Sequence, residues 1–248
     1  MGSSPRKPLI VIPARMASSR LPGKPLAEIA GLPMIVQVMR RAEEANIGPV
    51  LVACAEEEIA AAVREAGGTA LLTREDHPSG SDRVYEAVET FDPNGVYDAI
   101  VNLQGDLPAL DPSAVEAVFQ PLQNVAVDIA TLVAEIADED ELSDANAVKA
   151  VVSLKEGESV GRALWFSRLK TPWGEGPHFH HIGLYAYRRD ALAKFVELPP
   201  APLEQRERLE QLRALENGMR IEAAVVDTVP LGVDTPEDLA RIRRMFVS

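Results

Sequence analysis

The chain has 248 residues, 46% of them hydrophobic and 25% charged, and its 38 Asp plus Glu against 25 Lys plus Arg give a formal net charge of −13. This length fits one large domain or two small ones with an ample core, and the acidic balance argues against a surface made for nucleic acid or for anionic lipid. No apolar run approaches the ~20 residues of a membrane span. Leu9–Ile12 is too short for a secretory core, and a lone Cys54 excludes an internal disulfide, so a cytoplasmic protein is expected.

The first expected element is the apolar run Leu9–Ile12, read as a buried strand. It opens onto the Pro- and Gly-rich stretch Pro13 to Leu26, which carries Arg15, Arg20 and Lys24. The first 27 residues hold Arg6, Lys7, Arg15, Arg20 and Lys24 and no carboxylate. A cationic loop at the end of a buried strand, in an otherwise acidic chain, marks a local site for a polyanion such as a nucleotide's phosphates. A helix over 33–46 follows from the spacing of Ile35, Val38, Met39 and Ala42, and one over 56–66 from Ile59 and Val63. Pro49–Cys54 and Thr69–Leu72 read as strands, with Cys54 buried. Ser79-Gly80-Ser81 reads as a turn and N-cap before a helix at 82–91. The strand Ala99–Leu103 runs into Gln104-Gly105-Asp106-Leu107-Pro108, and Asp111-Pro112 starts another helix. This alternation predicts a mainly parallel sheet covered on both faces.

Beyond about residue 128 the pattern changes. Strands at Ile129–Ile136, Val148–Leu154 and Ile182–Tyr187 have few helices between them, so this part of the sheet is expected to be mixed or to form a flap. Helices at 189–197 and 203–216 flank the breaker cluster Leu198-Pro199-Pro200-Ala201-Pro202. The strand Ile221–Val226 comes next, and Asp234 stands before the capping pattern Thr235-Pro236-Glu237-Asp238. Arg206 and Arg213 bracket Glu210 at helical spacing, an ordinary surface charge pattern. His178 and His180 share a strand face but lack a third neighbour suited to zinc. In an open parallel sheet, ligands bind outside the carboxyl ends of the strands. The loops after Leu9–Ile12 and Ala99–Leu103 should therefore meet, placing cations beside Asp106, a setting for nucleotide phosphates with a divalent metal.

Several blocks occur in order along nearly the whole chain: Ala14-Arg15-x-Ala17-Ser18-Ser19-Arg20-Leu21-Pro22-Gly23-Lys24-Pro25-Leu26, His77-x-Ser79-Gly80, Gln104-Gly105-Asp106, Trp165-Phe166-Ser167-Arg168, His181-Ile182-Gly183-Leu184-Tyr185, Leu209-Glu210-Gln211-Leu212-Arg213 and Gly232-Val233-Asp234-Thr235-Pro236-Glu237-Asp238-Leu239. Together they resemble the 3-deoxy-D-manno-octulosonate (KDO) cytidylyltransferases. The resemblance implies an α/β, Rossmann-like (GT-A-like) nucleotidyltransferase with a mostly parallel, partly mixed central sheet. It implies one domain over 1–248, with a mixed-sheet substrate and dimerisation portion at about 128–200, and a homodimer. The implied reaction joins CTP to a 3-deoxy-2-keto sugar acid with Mg²⁺, giving CMP-KDO and pyrophosphate for lipopolysaccharide assembly, with no nucleic acid or membrane as partner.

The same resemblance assigns Lys24 and Arg15 to the phosphates and Arg20 to phosphate or the sugar carboxylate. Asp106 and Asp234 are implied metal ligands, and Ser79, Gly80, Ala14 and Arg15 lie at the positions that read cytosine. Arg83 and Arg168 are candidates for the sugar carboxylate, and Gln104, His181, Tyr185, Glu210 and Gln211 for its hydroxyls. With the metal polarising the α-phosphate, no protein base is required. Leu107, Ser81-Asp82-Arg83 and Pro230-Leu231-Gly232 depart from commoner family patterns, which leaves room for a KDO analogue such as the 8-amino sugar. A CMP-sialic acid synthetase is the nearest enzyme alternative. A catalytically silent nucleotide-binding regulator is the alternative from another class.

Overall fold

The computed structural model describes Pro5 and residues 7–17 and 20–246. Arg6 of the cationic strip, and Ser18 and Ser19 of the first block, lie outside the described residues. The chain divides into two compact units: one of Arg6–Glu116 with Pro230–Ser248, the other of Ala117–Val229 with Met1–Pro5.

In the first unit, β1 (Pro8–Ala14) is followed by a hairpin of β2 (Glu28–Ile29) and β3 (Leu32–Pro33), then α1 (Met34–Glu44), β4 (Val50–Cys54), α2 (Glu57–Glu65), β5 (Thr69–Leu72), α3 (Gly80–Phe91) and β6 (Ala99–Asn102). Helix α4 (Pro112–Phe119) crosses the boundary between the units. The strands lie side by side as β5-β4-β1-β6, every pairing parallel. Leu9, Ile10, Val11 and Ile12 are wholly inaccessible. A strand covered on both faces reads as a continuous apolar run rather than an alternating one, and each such side chain gains about 1.5–3 kcal/mol on burial. The strand order reverses between β1 and β6, so their carboxyl ends border the crevice where such sheets take ligands. Ser79 caps α3: its hydroxyl accepts from the Asp82 N–H at 3.2 Å and donates to the Asp82 carboxylate at 2.6 Å, which starts the helix at Gly80 and not at 82.

In the second unit, β7 (Ile129–Glu135), α5 (Glu139–Ser143), β8 (Lys149–Ser153), β9 (Val160–Ser167), β10 (Phe179–Arg188), α6 (Arg189–Glu197), α7 (Pro202–Glu207), α8 (Gln211–Glu216) and β11 (Ile221–Val226) follow in turn. The pairings run β10-β7-β11-β9-β8, and β8 pairs with β10 again through Ala150 and Lys149, so they form a ring. Only β7 with β11 is parallel, and the mixed part extends past residue 200. Two expectations need correction. Val160–Ser167 is a strand beyond those expected: its apolar residues Ala163 to Phe166 follow Gly161 and Arg162, and Gly161 is required where the strand meets β8, since a Cβ there would lie 2.6 Å from the Ser153 carbonyl oxygen. The helix expected at 203–216 is broken, because Arg208 takes a left-handed conformation (φ 56°) and turns Leu209 into the interior.

The chain returns to the first unit with α9 (Pro236–Met245), whose Leu239 and Ile242 pack with Ile29, Met34 and Val233. Thr235 caps it, its hydroxyl accepting from the Asp238 N–H at 3.2 Å while the Asp238 carboxylate accepts from the N–H groups of Thr235 at 2.9 Å and Asp234 at 3.1 Å. Cap and apolar cluster together fix where Asp234 stands. Among the described residues no helix is long and apolar enough to cross a membrane.

Candidate active site

At the carboxyl ends of β1 and β6 lies a cavity of about 380 Å³. Pro13, Ala14, Arg15, Ala17, Arg20, Lys24 and Pro25 line it from the first loop, His77, Ser79, Gly80 and Arg83 from the start of α3, and Gln104, Gly105 and Asp106 from the loop after β6. Close backbone approach sets its floor. A Cβ on Gly105 would lie 2.9 Å from the Pro13 carbonyl oxygen, so only glycine lets the two loops touch there.

Gly23, at φ 69°, turns the chain into a short 3₁₀ segment that places Lys24. The Lys24 ammonium lies 2.9 Å from Asp106 Oδ2, 3.1 Å from Asp234 Oδ1 and 2.9 Å from the Val233 carbonyl. A Val233 N–H bond to the Asp106 carbonyl, 2.9 Å, ties the two aspartate-bearing segments together. Burial alone would lower the Lys24 pKa, but the charges and hydrogen bonds of Asp106 and Asp234 outweigh it and raise the pKa above its ordinary value. Arg20 reaches the other oxygen of Asp234 at 3.0 Å, with both side chains largely exposed. The Arg15 side chain makes no hydrogen bond or ion pair among the described residues, and its charge adds to burial in lowering the Arg83 pKa, partly offset by Glu56.

The donor set suits magnesium. Two carboxylate oxygens converge on one ammonium, and so mark a point that a hard cation can share. The described residues offer no cluster of three or more His, Cys, Asp or Glu for a metal. Mg²⁺ needs none, since it takes one or two carboxylates and fills its shell with phosphate oxygens and water.

Arg83 is buried, and three of its N–H groups are spent on the Thr73 hydroxyl, the Arg74 carbonyl at 2.9 Å and the Glu75 carbonyl at 3.4 Å. Its Nε–H and one Nη2–H are left unassigned among the described residues. Gln104 donates to Asn102 Oδ1 at 3.3 Å. His77, of the block His77-x-Ser79-Gly80, also lines the cavity, a role that a single histidine before a turn does not signal. Its Nε2 contacts the Glu86 carboxylate, while its Nδ1 is buried with no partner among the described residues. For Glu86, burial works to raise the pKa, and hydrogen bonds from His77 and the Arg74 N–H overcome it, so the carboxyl is held below its usual range.

The remaining candidates belong to the second unit. His181 and Tyr185 come together, ring centroids 5.5 Å apart, with Phe166 edge-on to His181 at 4.8 Å. Burial, then the neighbouring His180, push the His181 pKa down to about 3. Burial, then the charges of Tyr187 and Glu210, raise the Tyr185 pKa well above the ordinary phenol value. Glu210 stands at the N-cap of α8, not on a face shared with Arg206. Arg213 reaches Glu210 at 3.9 Å, but its main partner is Glu204, with Nε–Oε2 at 2.9 Å. The buried Gln211 Nε2 has no partner among the described residues. Arg168 bonds through Nε to the Glu207 carbonyl at 3.0 Å and through Nη1 to the Ala145 carbonyl at 3.0 Å. Thr131, beneath His181, was not legible in the sequence; an apolar strand with one threonine in it gives no signal of its own.

Known proteins resemble the chain closely. The family model described as cytidylyltransferase matches residues 9–221. A 3-deoxy-manno-octulosonate cytidylyltransferase of Rhodospirillum centenum is 65% identical over 246 residues, covering 99% of this chain and 96% of that protein. The protein of the same name in Paramagnetospirillum magneticum is 63% identical, covering 96% and 97%. Among solved structures, a CMP:2-keto-3-deoxy-manno-octonic acid synthetase complexed with CTP aligns with a TM-score of 0.89 at 40% identity, over 97% of this chain and 98% of that one.

Proposed function

The chain belongs to the 3-deoxy-manno-octulosonate cytidylyltransferase family, and from that premise we propose that it transfers CMP from CTP to the anomeric hydroxyl of KDO, releasing pyrophosphate and supplying CMP-KDO to lipopolysaccharide assembly. The observation that carries this reading is the convergence of Lys24, Asp106 and Asp234 at the mouth of a cavity whose other walls carry Arg15, Arg20 and Ser79-Gly80.

Transfer of this kind depends on positioning and on charge neutralisation. Arg15 and Lys24 take the β- and γ-phosphates, and Lys24 leaves its carboxylates to do so. Arg20 lets go of Asp234 and follows the phosphates or the sugar carboxylate. Asp106 and Asp234, freed of their cations, would hold Mg²⁺. Bound there, the metal would polarise the α-phosphate and lower the pKa of the attacking hydroxyl. Ala14, Ser79 and Gly80 meet the cytosine edge with backbone and small groups, where a larger base finds no room. Gln104 serves the ribose side or a sugar hydroxyl.

For the sugar acid, His181, Tyr185, Glu210 and Gln211 supply a neutral ring, a protonated phenol, a carboxylate and an amide, the mixture a polyol requires. Arg83, with its remaining N–H groups, and Arg168 are offered to the carboxylate. The protein works as a homodimer. A pyrophosphate-release assay crossing the four ribonucleoside triphosphates with KDO, 8-amino-KDO and N-acetylneuraminate tests the reading. CTP with KDO should exceed every other pair, and faster turnover with N-acetylneuraminate would overturn the sugar assignment. CTP binding without pyrophosphate release would leave only a nucleotide-binding protein.

A further inference from the structure

Thr131 lies in the middle of β7, wholly buried, opposite an irregularity in β10. Ile182 of β10 pairs with Leu132 and Tyr185 pairs with Thr131, so Gly183 and Leu184 bulge out between them. The bulge wraps over the threonine. The Thr131 hydroxyl oxygen lies 3.1 Å from the Ile182 carbonyl, 3.0 Å from the Leu184 carbonyl and 3.1 Å from His181 Nε2.

Three polar neighbours around one hydroxyl leave little choice of proton placement. The two carbonyls can only accept, and the hydroxyl has a single proton to give. Were that proton turned to the imidazole, both carbonyl oxygens would face the hydroxyl oxygen with no hydrogen between them, in a site without water access. The satisfied arrangement sends the hydroxyl proton to the carbonyls and has the hydroxyl oxygen accept from Nε2–H. His181 Nδ1 then carries the lone pair. Nδ1 has no partner among the described residues. Burial keeps the ring neutral, and Phe166 and Tyr185 fix its plane.

We propose that Thr131 is a positioning residue that locks His181 in its Nε2–H form, so that Nδ1 serves as a hydrogen-bond acceptor for a hydroxyl of the bound sugar acid. This rests on the assignment of His181 to the sugar. It deepens that assignment, because a ring locked this way receives a proton from a hydroxyl and gives none to a carboxylate. The polyol part of the substrate, not its acid group, therefore faces His181.

The test is a long-range ¹H–¹⁵N correlation spectrum of the full chain labelled at histidine, with His181→Gln identifying the resonance among the four histidines. The wild type should show a neutral ring with the proton on Nε2. Thr131→Val, close in shape but without the hydroxyl, should move the proton to Nδ1 or give a mixture, and Thr131→Ser should restore the wild-type spectrum. In the pyrophosphate assay Thr131→Val should raise KM for KDO about tenfold, the scale of one lost hydrogen bond, with KM for CTP unchanged and the serine variant recovering. A wild-type proton on Nδ1, or an unaltered spectrum in Thr131→Val, overturns the lock. Should the valine variant fail to fold, the wild-type and serine spectra still decide. A shifted proton with unchanged KM for KDO overturns the substrate half alone, by showing that His181 does not touch the sugar.

Discussion

The two units prepare for ligands in opposite ways. Around the cavity of the first, Lys24 is held by Asp106 and Asp234, and Arg20 by Asp234, while among the described residues the exposed Arg15 alone of the three loop cations is left to water. In the second, neutral polar atoms stand open among the described residues: the Gln211 amide nitrogen and the free edge of His181. Charges cannot be left bare in a half-buried site, because desolvating an unpaired ion costs several kcal/mol. Neutral donors and acceptors can wait, at about 1–3 kcal/mol each. The first unit therefore has to exchange partners when its ligand arrives, whereas the second needs only to be filled.

The sharpest way to break this contrast is to remove one of the exchanging charges. Lys24→Ala and Asp106→Asn should each lower kcat by about 10²-fold or more, the scale of a lost transition-state charge partner. Steady-state kinetics with CTP and KDO measures it, and wild-type turnover in either would mean that the phosphates lie elsewhere. A smaller effect follows from the exchange itself. Without its ammonium, Lys24→Ala leaves two carboxylates facing one point, so Mn²⁺ used as an electron-resonance probe, with no nucleotide present, should bind it about tenfold more tightly than the wild type. Equal affinity would show that Lys24 does not compete for that point.

The smallest effect belongs to the second unit. The folded-state pKa of His181 lies near 3 against an ordinary value of 6.5. A depressed pKa means that the folded protein resists a proton the unfolded chain accepts. The stabilisation is complete above 6.5 and drains away as pH falls toward about 3. Melting curves taken from about pH 7 down to about pH 4.5 should show the wild type losing stability faster than His181→Gln. Parallel losses would mean that the ring is not held neutral.

Much of the first unit could be read from the residues because its signals are local. A continuous apolar run, a cationic Pro/Gly loop and an Asp after a strand each state their role within a few positions, and the parallel sheet puts their ends together. The second unit hides its logic in pairings between distant segments. In β9 the glycine and arginine at 161 and 162 interrupt the strand signal, and Gly161 is there because the Ser153 carbonyl of β8 leaves no space for a Cβ. Arg206, Glu210 and Arg213 have the spacing of one helical face, yet the left-handed turn at Arg208 separates Arg206 from the other two. The bulge that seats Thr131 depends on a register visible only once β7 and β10 are paired.

The contact between Gly105 and the Pro13 carbonyl has a wider consequence. Where two main chains rest against each other, neither the first loop nor the loop of Asp106 can drift without pushing its neighbour. Side chains around that seam can be exchanged to alter charge or size, while the seam itself tolerates no added atom. Variation that retunes this enzyme is therefore confined to the rim, and a methyl group at residue 105 would shift every ligand-facing group on both sides at once.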